Sequence, residues 1–125
     1  MNVKVFLSLK AIVSLVFGII SVAIPTIVFP YYGVQLNPNG VVFSQFFGSM
    51  GIGIGLICWF ARTADRSALR QSILLSLFIC DTIGFVVSLR AQLHGLTNVL
   101  GWSTVAIWLI LAFGLGYFRF IKKAD

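Results

Sequence analysis

Four long apolar stretches, separated by short polar connections, dominate the pattern of the chain. They cover about residues 5–29, 41–60, 67–89 and 99–121. Each is close to the roughly 20 residues with which a helix crosses about 30 Å of hydrocarbon. In lipid, backbone groups must satisfy one another, and the alternating pattern of a membrane barrel is missing. The pattern predicts an all-α, integral membrane four-helix bundle that forms a single domain over residues 1–125.

The first stretch also has features of a secretory signal peptide. Lys4 and Lys10 precede an apolar run, and the small residues Ser21 and Ala23 have the spacing of a cleavage site. The apolar run nevertheless continues beyond this point to Phe29. We therefore expect a retained helix.

The basic residues predict the orientation of the helices. The chain has nine Lys and Arg against three acidic residues, all aspartate, and a formal net charge of +6. In a four-span arrangement, eight of these cations fall on one side of the membrane and only Arg90 on the other. The positive-inside rule then puts both termini in the cytoplasm, with a bacterial inner membrane as the expected location. The eight cations are Lys4, Lys10, Arg62, Arg66, Arg70, Arg119, Lys122 and Lys123.

Composition narrows the classes of function. Hydrophobic residues make up 59% of the chain and charged residues 10%, whereas soluble domains carry roughly 25% charged residues. Because the cations lie at the ends of apolar runs and not in a stripe, we expect no nucleic-acid partner. Cys58 and Cys80 are isolated and His94 is the single histidine, so we expect neither a metal site nor a cofactor. Without a glutamate or a phosphate-binding loop, the chain offers little to catalysis.

Small residues recur on one face of each of the first two stretches. In both, the spacing is four, three and four residues. Such a stripe lets another helix approach closely. We expect these two antiparallel helices to pack on each other, and the alternative is an oligomer interface or a groove for a partner. The positions are Ser14, Gly18, Ser21 and Pro25 in the first stretch and Ser44, Gly48, Gly51 and Gly55 in the second.

Asp81 is the residue with the most chemical information. It lies nine residues beyond Ser72, where the apolar run of the third stretch begins, or about 13 Å at 1.5 Å per residue, and so near the bilayer midplane. An acidic group there costs several kcal/mol unless it is paired, protonated or hydrated. The functional interpretation is a proton relay, a cation site or a ligand anchor. The structural one is an interhelical hydrogen bond, for example to Trp108. A buried salt bridge is the least expected case, because no cation is predicted at that depth.

Two further sets of polar residues are weaker candidates. The candidate ligand or proton site consists of Asp81, Ser88, Gln45 and Trp108. Ser88 and Gln45 are also placed to line a polar pocket open to the outside, together with Ser44, Gln92, Ser103 and Thr104, although ordinary interfacial polarity is the favoured explanation. Three arginines in the second connection recur every fourth residue and are candidates for anionic lipid headgroups, although their topogenic role already accounts for them. These three are Arg62, Arg66 and Arg70.

Two segments carry a resemblance to a known family. The glycine-rich second stretch includes Phe46–Gly48 and Gly55 and ends in Trp59–Arg62, and a short basic link follows it. The fourth stretch runs from Gly101–Ser103 to Gly116–Phe118. Over most of its length, the chain resembles DoxX-like small four-helix membrane proteins. The resemblance implies the fold and an accessory role, since some members are subunits or accessories of membrane redox enzymes, and it identifies no functional residue.

Three functions remain open at this point. The first is a non-catalytic accessory or binding protein that packs against a membrane partner, a lipid, a small hydrophobic ligand or a second copy of itself. The second is a small proton-coupled transporter or channel that uses Asp81. The third is a membrane isomerase with Asp81 as acid or base. A binder should hold a ligand beside the glycine stripe, a transporter needs a water path to Asp81, and an isomerase needs a closed apolar pocket with Asp81 at its wall.

Overall fold

Four long helices form the fold, which we describe from a computed structural model covering residues 2–64 and 68–121. Over these residues the chain is all-helical and has no strand, which confirms the all-α part of the prediction. Each helix, the last one together with its π-helical end, is long and apolar enough to cross a membrane. They are α1 (Val3–Ala23), α2 (Pro38–Ala61), α3 (Ala68–Leu93) and α4 (Gly101–Gly116), and α4 continues as a π-helical turn over Tyr117–Ile121.

The first apolar stretch is divided near its end and does not form one helix to residue 29. α1 ends at Ala23, and Ile24 leaves the helical region with φ −138° and ψ 48°. The residue before a proline is disfavoured in the α conformation, and Pro25 follows directly. A one-turn helix, Pro25–Val28, and a 3-10 turn, Phe29–Tyr32, then lead into the first connection. Part of the apolar stretch therefore belongs to the connection.

α1 and α2 form a close antiparallel pair in which the two small-residue stripes face each other. A Cβ atom added to Gly18 would lie 2.7 Å from the carbonyl oxygen of Gly48, and one added to Gly48 would lie 2.6 Å from the carbonyl oxygen of Gly18. A Cβ atom at Gly55 would lie 2.7 Å from Cγ of Leu15. Backbone thus meets backbone, as in helix pairs that small residues bring together. The two stripes therefore pack against each other within the chain.

The serines of the stripes act as small residues in this contact. Ser44 is buried and its hydroxyl donates to the carbonyl oxygen of Val41, one turn back in α2, at 2.8 Å. Ser21 is buried as well, and the carbonyl oxygen of Ser14 would lie 3.3 Å from a Cβ atom at Gly51. Their side chains therefore contribute small volume to the helix contact.

α3 and α4 form the second pair, in which glycines receive aromatic rings. The ring of Trp108 lies against Gly84, where an added Cβ atom would come within 2.6 Å of its Cδ2. In the opposite sense, Gly116 of α4 lies under Phe78 of α3, and its Cβ atom would come within 2.8 Å of Cε1. The rings fill the space between the helices, so this pair is held by large side chains rather than by backbone contact.

The two pairs join in an apolar core near the end of the bundle that holds the first residues of α1. The rings of Phe6 and Phe118 pack with centroids 5.6 Å apart and connect α1 to the end of α4. Leu7 and Leu115 are fully buried in the same core. The core consists of Val3, Phe6, Leu7, Ala11, Cys58, Ala61, Leu74, Leu77, Leu111, Leu115 and Phe118.

At the other end of the bundle, Asn98 ties the two remaining connections together. Its backbone N–H donates to the carbonyl oxygen of Tyr32 at 2.9 Å, and its Nδ2 donates to that of Tyr31 at 3.0 Å. Its Oδ1 accepts from the backbone N–H of Leu100 at 3.0 Å, just before α4. Gly33 packs against this side chain with φ 78°, a left-handed conformation that glycine adopts without strain. One asparagine therefore links the first helix pair to the second.

We expect Asn98→Ala to lower the free energy of unfolding by about 1–2 kcal/mol, because a net hydrogen bond contributes roughly 1 kcal/mol and two side-chain bonds are lost. The matched control is Asn39→Ala at an exposed position of the same type. A surface change of this kind stays within about 0.5 kcal/mol. Unfolding of the purified protein in one detergent measures both. Equal effects of the two substitutions would mean that the link contributes nothing to stability.

Candidate ion-pair site

An ion pair between Lys10 of α1 and Asp81 of α3 is the polar centre of the bundle. The Lys10 Nζ donates to both carboxylate oxygens of Asp81, at 2.9 Å to Oδ1 and 2.7 Å to Oδ2. Asp81 is 0% exposed and Lys10 is 2% exposed. Each charge is therefore satisfied by the other and neither reaches the surface.

This pair shows that the sequence-based placement of Lys10 is wrong. Lys10 is expected among the cations at the cytoplasmic end, and a salt bridge to Asp81 is the least expected case. α1, however, begins at Val3 and is capped by Asn2, whose Oδ1 accepts a hydrogen bond from the backbone N–H of Val5 at 2.9 Å. Lys10 thus lies about 10 Å along the helix axis from the start of α1, at 1.5 Å per residue. Its long apolar stem carries the ammonium group onward to the carboxylate.

Apolar and thiol side chains enclose the pair. Leu7 and Ala11, next to Lys10 on α1, are both fully buried, and Leu77 precedes Asp81 by one turn on α3. Cys58 of α2 is buried in the same core with a free thiol. Removing two charges from water costs several kcal/mol per ion, and only good geometry and full hydrogen bonding offset that cost. The double contact between one ammonium and both carboxylate oxygens meets this condition.

Hydrogen bonds among the described residues do not join the side chains of the candidate ligand or proton site to Asp81. Ser88 donates to the carbonyl oxygen of Phe85 in its own helix at 3.0 Å. Gln45 is exposed, and its Nε2 donates to the carbonyl oxygen of Val22 at the end of α1 at 3.3 Å. Both side chains satisfy backbone groups close to them, and among the described residues no hydrogen bond joins them to Asp81.

Trp108 is near Asp81 along the bundle but is not its partner. The indole ring packs on Gly84, which follows Asp81 by nearly one turn of α3. Within residues 2–64 and 68–121, the hydrogen bonds of the Asp81 carboxylate go to Lys10. Asp81 thus makes a salt bridge, the case least expected from the sequence, and not the predicted hydrogen bond to Trp108 or to a serine of α1.

The arginines of the second connection differ in what they offer to lipid. The guanidinium of Arg62 stacks on the Trp59 ring, 3.8 Å from its centroid, in a cation–π contact. Arg70 is 5% exposed and donates from Nη1 to the carbonyl oxygen of Ala64 at 2.8 Å, so its side chain is turned into the connection and not toward headgroups. Arg66 lies outside the described residues. The candidate set therefore does not act as three equivalent surface cations.

The spacing of residues in the first apolar stretch does indicate, in retrospect, that Lys10 is on the buried face of α1. Lys10 precedes Ser14 by four residues, and Gly18 and Ser21 follow at intervals of four and three. Residues three and four apart lie on the same face of a helix. Lys10 therefore continues the small-residue stripe, which is the buried face of α1, although its charge suggests an end of the helix.

Comparison of the chain with protein-family models, with curated proteins and with solved structures finds no match. The resemblance to DoxX-like membrane proteins stays a prediction from the sequence. In the part of the chain that the structure describes, no three His, Cys, Asp or Glu side chains come together as a metal site. Any proposal about function therefore rests on the buried ion pair and on the exposed apolar surface.

Proposed function

We propose that the chain is an integral membrane protein with four spans and both termini in the cytoplasm, and that it serves as a non-catalytic accessory or binding subunit. The main support for this proposal is that Lys10 and Asp81 are both buried and bind each other. A substrate site needs a charge that can be reached, and both charges here are buried and occupied by each other. A pair in this state fixes the arrangement of α1 and α3.

The outer surface supports both membrane insertion and a binding role. Four large side chains of α2 point away from α1 and are 50–70% exposed, and soluble proteins rarely leave such patches uncovered. Lipid or a membrane partner would cover these side chains and keep their apolar surface out of water. The four are Phe43, Phe46, Phe47 and Met50.

A proton-coupled transporter is the second candidate, and the position of the pair favours it. Ionisable groups inside a membrane mark proton and ion paths in many proteins. Lys10 and Asp81 lie at the junction of the two helix pairs, where a separation of the pairs would give water access to both. The isomerase hypothesis has no support among the described residues, because the Asp81 carboxylate that would act as acid or base is bound by Lys10.

Flux in proteoliposomes separates these two functions. For an accessory subunit we expect wild-type vesicles to carry no more proton flux than empty vesicles, and Asp81→Asn to change nothing. A transporter predicts a flux that Asp81→Asn abolishes while the protein stays folded. Wild-type flux above the empty control, lost in Asp81→Asn, would therefore refute the accessory role. The matched control is Thr82→Val, at the exposed neighbouring position.

The predicted topology has its own test. With Lys10 inside the bundle, seven of the eight cations still fall on the side assigned to the cytoplasm, and Arg90 alone on the other. In a background in which Cys58 and Cys80 are replaced by alanine, we expect Asn39→Cys to react with an impermeant thiol reagent in intact cells and Lys123→Cys to react only after lysis. The reverse pattern would overturn the orientation.

A further inference from the structure

The bundle consists of two helix pairs that are closely packed inside and less closely joined to each other. In α1–α2 the carbonyl oxygens of Gly18 and Gly48 lie against the facing helix, and in α3–α4 the ring of Trp108 packs on Gly84. Over residues 2–64 and 68–121, close approaches between helix backbones are concentrated within these pairs, and few occur between one pair and the other. Each pair therefore packs as a unit.

Side chains, rather than backbones, join the two pairs. The surface between the pairs, which we call the seam, is formed by Phe6 and Lys10 of α1 against Asp81, Gly114 and Phe118 of the second pair. The ring of Phe6 lies on Gly114 and packs on Phe118, and the ammonium group of Lys10 reaches Asp81. Among the described residues, the Lys10–Asp81 contact is the one hydrogen-bonded contact between a long helix of the first pair and a long helix of the second.

The two charges allow the seam a second arrangement. In the arrangement described above, Asp81 and Lys10 are 0% and 2% exposed and satisfy each other. If the pairs separated, water would replace each partner and restore the hydration that burial removes at a cost of several kcal/mol per ion. The rest of the seam is apolar, and in the proposed membrane arrangement lipid tails can replace its contacts, because lipid is as apolar as the side chains. The seam thus has two arrangements in which both charges are satisfied.

We propose that the two helix pairs move relative to each other as units, and that the Lys10–Asp81 ion pair is the latch that holds the seam between them closed. Opening gives water access to both charges, while the glycine contacts inside each pair stay intact. The inference rests on the proposed membrane arrangement, because lipid must take over the apolar contacts of the seam. It goes beyond that arrangement by assigning the ion pair to a conformational change and not to a fixed scaffold.

Spin labels beside the latch measure the separation of the pairs. Leu9 of α1 and Ile79 of α3 are 46% and 51% exposed, so labels there do not disturb the core. In liposomes, and in a background without the two native cysteines, Leu9→Cys and Ile79→Cys carry the labels for double electron–electron resonance. We expect Asp81→Asn to add a population in which this distance is longer by more than about 2 Å, the size of a rearrangement between rigid parts. Labels at Leu9→Cys and Ile57→Cys, both in the first pair, are the matched control and should keep their distance.

The buried thiol of Cys58 gives a second measurement. It is 0% exposed and close enough to Lys10 and Asp81 to interact electrostatically with both. In a Cys80→Ala background, we expect Asp81→Asn and Lys10→Gln each to speed its alkylation by N-ethylmaleimide about ten-fold, which corresponds to a closed state weakened by about 1.4 kcal/mol. The two variants leave opposite charges beside the thiol, so a purely electrostatic effect would speed one reaction and slow the other. Gly84→Ala is the control for general destabilisation, because it strains a contact inside the second pair and should leave the rate unchanged.

Three results would overturn the latch. They are an unchanged distance across the seam in Asp81→Asn, an equal lengthening within the first pair, and faster alkylation in only one of the two charge variants. Circular dichroism reports whether the variants stay folded, and loss of helix content in both would mean that the ion pair holds the fold itself and not the seam. Extraction of native membranes with alkaline carbonate tests insertion separately. A chain that stays in the membrane with a closed seam refutes the latch alone, whereas a chain that carbonate releases refutes both the latch and the membrane arrangement.

Discussion

Asp81→Leu is expected to lower the free energy of unfolding by about 3–5 kcal/mol, because the ammonium group of Lys10 is left buried without a partner. Lys10→Met should have a similar cost, since the carboxylate is then the unpaired ion. The double variant Lys10→Met with Asp81→Leu replaces the pair by apolar side chains of similar size and should be close to the wild type or more stable. Unfolding of the four forms in one detergent gives a double-mutant cycle.

The cycle discriminates between roles of the pair. A large coupling energy with a stable double variant means that the two charges are needed only for each other, which fits a role in positioning α1 and α3. If the double variant is as unstable as the sum of the single variants, the two side chains are not coupled, and the ion pair is not the reason that they are buried. Asp81→Asn keeps the size of the side chain and one oxygen acceptor, so we expect an intermediate loss.

Gly48→Ala is expected to destabilise the chain by about 1–3 kcal/mol, the range for overpacked positions. Its new Cβ atom would lie 2.6 Å from the carbonyl oxygen of Gly18 on α1, and neither backbone can move aside without separating the helices. Gly53→Ala is the matched control in the same helix, since no atom lies within 4 Å of its added Cβ atom. At Gly53 the better helix propensity of alanine should leave stability unchanged or slightly higher.

Gly51 provides an intermediate case between Gly48 and Gly53. Its Cβ atom would lie 3.3 Å from the carbonyl oxygen of Ser14, so Gly51→Ala should have an effect between the other two. Thermal melting in one detergent orders the three variants, and an equal response at all three positions would contradict close packing as the function of the stripe. Ile52 is not a suitable control, because its backbone nitrogen would lie 2.8 Å from a Cβ atom at Gly18 and is therefore part of the α1–α2 contact.

Much of the fold can be predicted because its determinants are local. The length of each apolar run and the four-three-four spacing of Ser44 to Gly55 are properties of single segments, and they correspond to single helices and single faces. The helix pair α1–α2 needs nothing beyond two such faces and a short connection. Local pattern therefore gives the helices and one of their contacts.

The site could be predicted only in part because its partners come from distant segments. Asp81 stands out as a charge in an apolar run, but its partner is 71 residues away and has the sequence context of an ordinary terminal lysine. The contact of Trp108 with Gly84 depends likewise on how α3 and α4 rotate about their axes. A single sequence shows which charged groups are unfavourable to bury. Which groups pair with each other depends on how the helices assemble into the bundle.

The buried ion pair also has a consequence for biogenesis. In the proposed membrane arrangement, the ribosome delivers α1 to the bilayer before α3 has been made, so that Lys10 would meet lipid while Asp81 is still absent. A lysine or aspartate near the centre of a spanning helix costs about 2.5–3.5 kcal/mol during insertion. In that arrangement the first helix would enter the bilayer with an uncompensated charge that the third helix later neutralises, and we expect chains truncated after α2 to be inserted less well than the full chain. Stable insertion of α1 would then depend on synthesis of α3.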